Sequence, residues 1–434
     1  MVTIDMVRVD DAIRRSLELL KSSFHRSPLG GGGWYHQLEI AEPGPTATAL
    51  AVATFLSCDQ RPEYFEDALE FLRVRQVSSG DVKVDGGWSI NTSMGHPVVE
   101  ATGWVTWALT KARCGYLVAE TPDAGKGYRW LVANQNPDGG WGSFSGAPSR
   151  VWLTCVAMLG IAEASPHDPV LDPAVDWLMS QRHGEAEGWG WMSNSPATTT
   201  HTAMALYSIM SIRSGWADRR VIDGYEWLVE HLDTAHVDDQ HARIEGYNVQ
   251  AIGSHGPEVW ATNLVHYGLP WAVSALLKHP AAPPGEDISA GIETILRTQL
   301  PSGSWPNIQG ASGASIWALW PFVEALSSLR RLVSLVPAAN VLMAKGVVII
   351  QSKEKNRYSL SALIRAQRRF SIGRFFGRYW PAMLVMFSVL AGLIFVGLKQ
   401  VAIREFLLGL IVPVGIFVIQ EVRHRSEVDQ RRRN

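Results

Sequence analysis

Gln135-Asn136-Pro137-Asp138-Gly139-Gly140-Trp141 reads as a helix end, a polar turn and a tryptophan. The helical pattern of Gly127–Asn134 runs into it. Pro137 cannot continue a helix, and Gly139 permits the chain to reverse. Beyond Trp141 a short Gly/Ser loop leads through Pro148 into a new apolar run, Val151–Ala162. The unit is therefore helix, turn, Trp, helix.

The same unit recurs along the first three quarters of the chain. Gly-Trp or Ser-Trp loops fall at Gly33-Trp34, Gly87-Trp88, Gly140-Trp141, Gly188-Trp189 and Ser304-Trp305, and Gly246-Tyr247 stands where a sixth is due. Trp34, Trp88 and Trp141 are 54 and 53 residues apart. Helix-period segments precede the loops at roughly 6–22, 62–76, 122–135, 168–182, 217–234 and 284–300. These are amphipathic, as Glu63, Glu66, Asp67, Glu70 and Arg73 illustrate. More apolar segments follow the loops at roughly 45–57, 97–113, 150–163, 198–213, 257–277 and 313–333. A helix apolar on all sides is buried on all sides. The pattern predicts an all-α fold, an (α/α)6 toroid with six apolar helices inside six amphipathic ones. Closure of the six repeats removes the need for capping repeats.

With 47% apolar and 18% charged residues the chain can fill a large core. Its net charge of −2 conceals an asymmetry: residues 335–434 carry +11 and the rest −13. An acidic body argues against nucleic acid as a partner, and the basic tail suggests an anionic surface. Cys58, Cys114 and Cys155 form no CxxC pair and read as reduced core residues of an intracellular domain. The N-terminus carries Asp5, Asp10 and Asp11 with no apolar segment, so no signal peptide is expected.

Gln135-x3-Gly139-x-Trp141 and Gln299-x3-Gly303-x-Trp305 fit the Gln-Trp repeat of squalene–hopene cyclases and related terpene cyclases, which residues 5–333 therefore resemble. Gln76 and Gln181 look like degenerate copies. The resemblance implies the α/α toroid shared by class II terpene cyclases and protein prenyltransferase β subunits, and an isoprenoid or other long-chain lipid as ligand. The family's Asp-x-Asp-Asp-Thr-Ala acid stretch is missing. Glu42-Pro43-Gly44-Pro45-Thr46-Ala47 keeps one carboxylate and Thr-Ala only. The prenyltransferase zinc pair and the Cys-His-Gly zinc signature of lanthionine cyclases are also absent. No metal or cofactor is expected, and whether the toroid is an enzyme stays open.

Inner-helix starts would gather at one mouth, where their dipoles favour an anion. His96, Glu100, Arg150, His201, His255 and Glu258 fall at such starts. His96 with Glu100, and His255 with Glu258, are candidate acid/base pairs; the plainer reading is helix capping. Trp104, Trp107, Trp152, Trp317 and Trp320, and the stripe of Trp260, Tyr267 and Trp271 beside His266, are candidate substrate-binding aromatics. The plainer reading there is core packing between the rings. His231, His236 and His241 are five apart, do not share a helix face, and read as surface.

After the toroid, residues 1–335, the pattern changes. Residues 336–378 are basic and amphipathic. Residues 379–422 contain the uncharged Tyr379–Leu398 and the apolar Phe406–Ile419, read as a transmembrane hairpin, and 423–434 form a basic end. This predicts a multi-pass cell-membrane protein with toroid and C-terminus cytoplasmic, the bilayer as partner, and a homo-oligomer through the hairpin. Two alternatives accompany the lipid-binding reading. One is a non-enzymatic cytoplasmic sensor or scaffold coupled to a membrane effector hairpin. The other is an α/α-barrel acting on glycans with Glu100 and Glu258 as paired carboxylates.

Overall fold

The computed structural model describes residues 3–334, apart from 29, 36–42, 62–63, 82, 91–95, 117–121, 183–187, 193–194, 214–215, 217, 233–243, 254–255, 266, 280–284 and 307–315, together with 348–351 and 356–359. All lie in one compact unit, Met1–Ile364. Among the described residues twelve α-helices dominate: α1 Met6–Ser22, α2 Pro45–Ser57, α3 Phe65–Val74, α4 Val99–Tyr116, α5 Pro122–Ala133, α6 Val151–Ala164, α7 Leu171–Ser180, α8 Thr199–Ile212, α9 Arg219–Glu230, α10 Gly268–Leu277, α11 Gly285–Thr298 and α12 Leu319–Ser334.

The even-numbered helices form the inner ring. Each packs on the next, from α2 through α4, α6, α8 and α10 to α12, and α12 packs back on α2. Every residue of α2 is buried, as is α6 from Val151 to Ile161. The odd-numbered helices lie outside with one wet face, as in α9, where only Val221, Gly224, Tyr225 and Leu228 are buried. Inner neighbours approach closely. A Cβ on Gly160 of α6 would lie 2.7 Å from the Gly103 carbonyl oxygen of α4. The expected closed toroid is therefore present.

Each loop tryptophan ties an outer helix to an inner one. The indole N–H donates to an outer-helix carbonyl: Trp34 to Leu20 at 2.7 Å, Trp88 to Leu72 at 2.6 Å, Trp141 to Leu131 at 2.8 Å, Trp189 to Leu178 at 2.6 Å and Trp305 to Ile295 at 2.8 Å. In four repeats the backbone N–H of the same Trp donates to a threonine of the inner helix, Thr48, Thr102, Thr154 or Thr202, at 2.9–3.2 Å. The glutamines tie one repeat to the next. Gln135 Nε2 donates to Gly139 O and to Val170 O, just before α7. Gln299 Nε2 donates to Ala12 O and the Ser16 hydroxyl of α1, joining the last repeat to the first. Gly139 and Gly303 sit at φ 94° and 93°. A Cβ on Gly303 would lie 2.3 Å from Arg15 O.

Short strands occupy the margins. β1 (Thr3–Asp5) precedes α1, and β2 (His25–Arg26) pairs antiparallel with β3 (Gly32–Gly33). The fifth inner helix differs from expectation. Residues 257–265 were expected to be helical, but β4 (Ile244–Gly253) and β5 (Gly256–Val265) form an antiparallel ladder there, and α10 begins only at Gly268. The run from Val259 to Val265 is rich in residues that fit a pleated surface, and it pairs with Ile244–Gly253, which includes Tyr247 and Val249. The expected helical stripe from Trp260 to Trp271 is thereby broken. β6 (Val348–Gln351) pairs parallel with β1 and antiparallel with β7 (Asn356–Ser359), so part of the segment 336–378 is used in a sheet with β1.

The expected multi-pass membrane location is overturned: among the described residues no helix is long and apolar enough to cross a membrane. The two segments read as spans, 379–398 and 406–419, lie outside the described residues.

Candidate functional site

Among the described residues, aromatic side chains from facing inner helices meet at the axis of the ring. Trp104 and Trp107 of α4, Trp152 of α6, Tyr207 of α8, Trp271 of α10 and Trp320 of α12 are all buried. Trp104 lies 4.9 Å from Trp320, 6.3 Å from Trp152 and 6.4 Å from Trp271 between ring centroids. Trp271 lies 5.3 Å from Trp320 and 5.5 Å from Tyr207, and Trp107 lies 5.6 Å from Trp320. These are edge-to-face and tilted contacts at the spacing aromatic pairs prefer. Five of the six inner helices thus supply rings to one plug. The Trp104 indole N–H is buried in it without an acceptor among the described residues.

One side of the plug faces the starts of the inner helices. Hydrogen bonds from Val99 N to Ser143 O and from Val151 N to Trp191 O place the starts of α4 and α6 beside neighbouring loops. Glu100 lies in the first turn of α4, one turn before Trp104 and on its face. Burial pushes its carboxyl up to about 7, and a hydrogen bond from the Trp152 side chain acts in the opposite direction. The result is a carboxyl group that keeps its proton close to neutral pH, against an aromatic floor. Such a group can donate a hydrogen bond or a proton.

Two of the neighbouring polar residues, His201 and Arg150, have protein partners. His201 is fully buried, with Nδ1 2.8 Å from the Thr198 hydroxyl that caps α8. Arg150 precedes α6, lies over the Trp191 ring at 4.5 Å and reaches Met192 Sδ at 2.8 Å. His96 is partly exposed in the loop before α4. Tyr267 belongs to the ring wall: it packs on Phe322 at 5.1 Å and donates to Pro306 O at 3.3 Å.

The other side of the plug faces the helix ends and is charged, which the sequence reading missed. Glu324 of α12 is buried. Its Oε1 accepts from Arg331 at 2.8 Å, Ser328 at 2.9 Å and the Tyr207 hydroxyl at 3.3 Å. Burial alone would raise this carboxyl, but Arg331, Lys111, the Ser57 hydroxyl and Lys278 together hold it below its ordinary value. Lys111 lies over Trp107 and Lys278 over Tyr207, each at 4.7 Å. Lys111 was within reach of sequence reasoning. It follows Glu100, Trp104 and Trp107 at helical spacing on one face of α4.

The structure thus brings together Glu100, Trp104, Trp107, Trp152, Trp271 and Trp320, adds Tyr207, and leaves Tyr267 outside the plug. Glu258 and Trp260 fall on β5 instead of the expected helix, with their side chains outside the description. Trp317 lies in a 3-10 turn, Ile316–Ala318, likewise without its side chain. His255 and His266 are outside the described residues. Among the described residues no group of His, Cys, Asp and Glu is placed to hold a metal ion.

Comparison with known proteins defines the class of this ring. No family model matches the chain. The squalene–hopene cyclase of Alicyclobacillus acidocaldarius subsp. acidocaldarius is 28% identical over 126 residues, which are 26% of this chain and 19% of the cyclase. The match therefore spans about a fifth of that relative. Among solved structures, a substituted form of the type II terpene cyclase MstE from Scytonema, in complex with its product merosterolic acid A, superposes with TM-score 0.50 at 17% identity. That match covers 75% of this chain and 98% of the cyclase. A family 76 glycoside hydrolase from a bovine Bacteroides thetaiotaomicron strain superposes with TM-score 0.50 at 9% identity, over 75% and 78% of the two chains. The fold is a toroid of the terpene cyclase kind.

Proposed function

We propose that this toroid binds an isoprenoid or similar long apolar chain at the mouth where its inner helices begin, above the aromatic plug. The observation that carries this reading is a carboxyl with its pKa at about 7, set one helical turn above a packed aromatic floor. An apolar chain would lie against Trp152 and Trp104. Glu100 would donate a hydrogen bond to its polar end or, in an enzymatic version, a proton to an alkene. Aromatic faces would stabilise the resulting cation by about 2 kcal/mol when desolvated. A shared fold does not by itself assign a ligand; the likeness to a terpene cyclase bound to its product adds an analogy of ligand class to the geometry at Glu100.

The test is titration of the full chain with geranylgeraniol, followed by tryptophan fluorescence. Saturable quenching is expected, weakened about tenfold by Trp152→Ala, a change of about 1.4 kcal/mol. No saturable signal in the parent chain would end the proposal. The filled axis favours a second reading, a non-enzymatic ring that recognises a partner through its faces. Saturable binding without turnover of geranylgeraniol, squalene or polyprenyl diphosphates would select it. Glycan hydrolysis would need Glu258 within about 10 Å of Glu100. Loss of glycan cleavage in Glu258→Gln is the outcome that reading predicts.

A further inference from the structure

The mouth where the inner helices end has a feature that the fold does not require. Lys111 and Lys278 project from α4 and from the end of α10, and each ammonium rests 4.7 Å above a ring of the plug, Trp107 and Tyr207 respectively. Those rings flank the same indole: Trp107 is 5.6 Å and Tyr207 6.4 Å from Trp320. The two like charges are therefore held on one aromatic floor. The nearby carboxylate does not hydrogen-bond to either of them. Glu324 already accepts from Arg331, Ser328 and Tyr207. Among the described residues neither lysine makes a hydrogen bond or an ion pair.

Helix dipoles account for only half of this arrangement. Lys278 caps α10, where a cation is favoured by the exposed carbonyls. Lys111 lies five residues before the end of α4, beyond the last turn in which that effect operates. Three cations, Lys111, Lys278 and Arg331, here face two carboxylates, Glu324 and Glu163, whose charges reach Lys278. The surplus is positive and partly buried, and the donors of the two lysines have no hydrogen-bond acceptor among the described residues.

We propose that Lys111 and Lys278 bind an oxyanion of the phosphate class, either free phosphate or a phosphate monoester whose apolar portion lies on the aromatic floor. A tetrahedral oxyanion offers enough acceptors for both ammoniums and relieves their mutual repulsion. The site lies across the plug from Glu100, so it stands or falls independently of the lipid reading.

The experiment is calorimetric titration of the full chain in phosphate-free, low-salt buffer with inorganic phosphate and, separately, n-octyl phosphate. Saturable binding is expected for at least one of them. Lys111→Met and Lys278→Met, which keep an apolar chain over the ring, should each weaken it at least tenfold. Lys278→Arg should retain it within a few fold. Thermal midpoints of all variants report folding. Tighter binding of the octyl ester assigns the site to a tailed phosphate, and equal affinity assigns it to free phosphate. No saturable binding of either ligand by the parent chain overturns the proposal, whatever the variants do. So does undiminished binding in both methionine variants.

Discussion

A carboxyl group at the start of an inner helix loses its water before it meets a counter-charge. Glu100 illustrates the consequence. Its pKa is raised by burial from 4.5 to about 7, so the folded state binds the proton more tightly than the unfolded chain does. The stability this contributes is fully present below pH 4.5 and is lost as pH rises through 7. The expected loss is about 3 kcal/mol, from the size of that shift. Chemical denaturation of Glu100→Gln, measured from pH 4 to pH 9, should lack this component and leave the variant more stable than the parent at pH 8. A parallel pH dependence in the two proteins would show that Glu100 is not the group responsible. Glu324, more deeply buried, shows the opposite outcome, because Arg331, Lys111, the Ser57 hydroxyl and Lys278 together hold it below its ordinary value. The sequence made Glu100 visible, since it opens an apolar helix. Ser328 and Arg331 follow Glu324 at i+4 and i+7 on α12 and were within reach, whereas Tyr207 comes from another inner helix and was not.

At the scale of an element, the repeated loop works because each of its residues has one task. Trp141 is buried and hydrogen-bonded through both its indole and its backbone N–H. Trp141→Ala should cost about 3–5 kcal/mol in urea denaturation. Gly303 combines a left-handed φ with the Arg15 carbonyl where its Cβ would be. Gly303→Ala should therefore lower stability by at least about 1–2 kcal/mol, whereas Gly80→Ala, at φ 85° with open space around it, reports the backbone strain alone. Equal midpoints for the two variants would mean that α1 does not press on the last loop. The Gln-x3-Gly-x-Trp spacing was legible because it recurs. The threonine partner was also within reach, since Thr48, Thr102, Thr154 and Thr202 follow their tryptophans by 13 or 14 residues. The hairpin of β4 and β5 was not legible by the same logic. Repeat phasing argued for a helix at 257–265, and cross-strand pairing overrode it.

At the scale of the whole molecule, a ring of six helical hairpins leaves its axis unspecified, and the side chains decide what fills it. Periodicity predicted the ring and its closure, because burial on all sides is written into each inner helix. It could not distinguish an aromatic lining from an aromatic plug, because both place tryptophan on inward faces. The difference rests on size and mutual geometry: six large rings meet at 4.9–6.4 Å. Trp320 lies at the centre of this arrangement and donates to the Ser57 hydroxyl at 3.2 Å. Trp320→Ala should remove about 3–5 kcal/mol of stability and leave a cavity on the order of 100 Å3, walled by Trp104, Trp107, Trp271 and Tyr207. A cavity of that kind stays dry and accepts a small aromatic molecule. Benzene or indole should therefore raise the melting midpoint of Trp320→Ala in a concentration-dependent way and leave the parent chain unmoved. If the parent gained as much as the variant, the axis would already be open, and a chain-shaped ligand could thread it. A gain confined to the variant would keep any natural ligand at the mouths of the ring, where Glu100 waits on one side and Lys111 and Lys278 on the other.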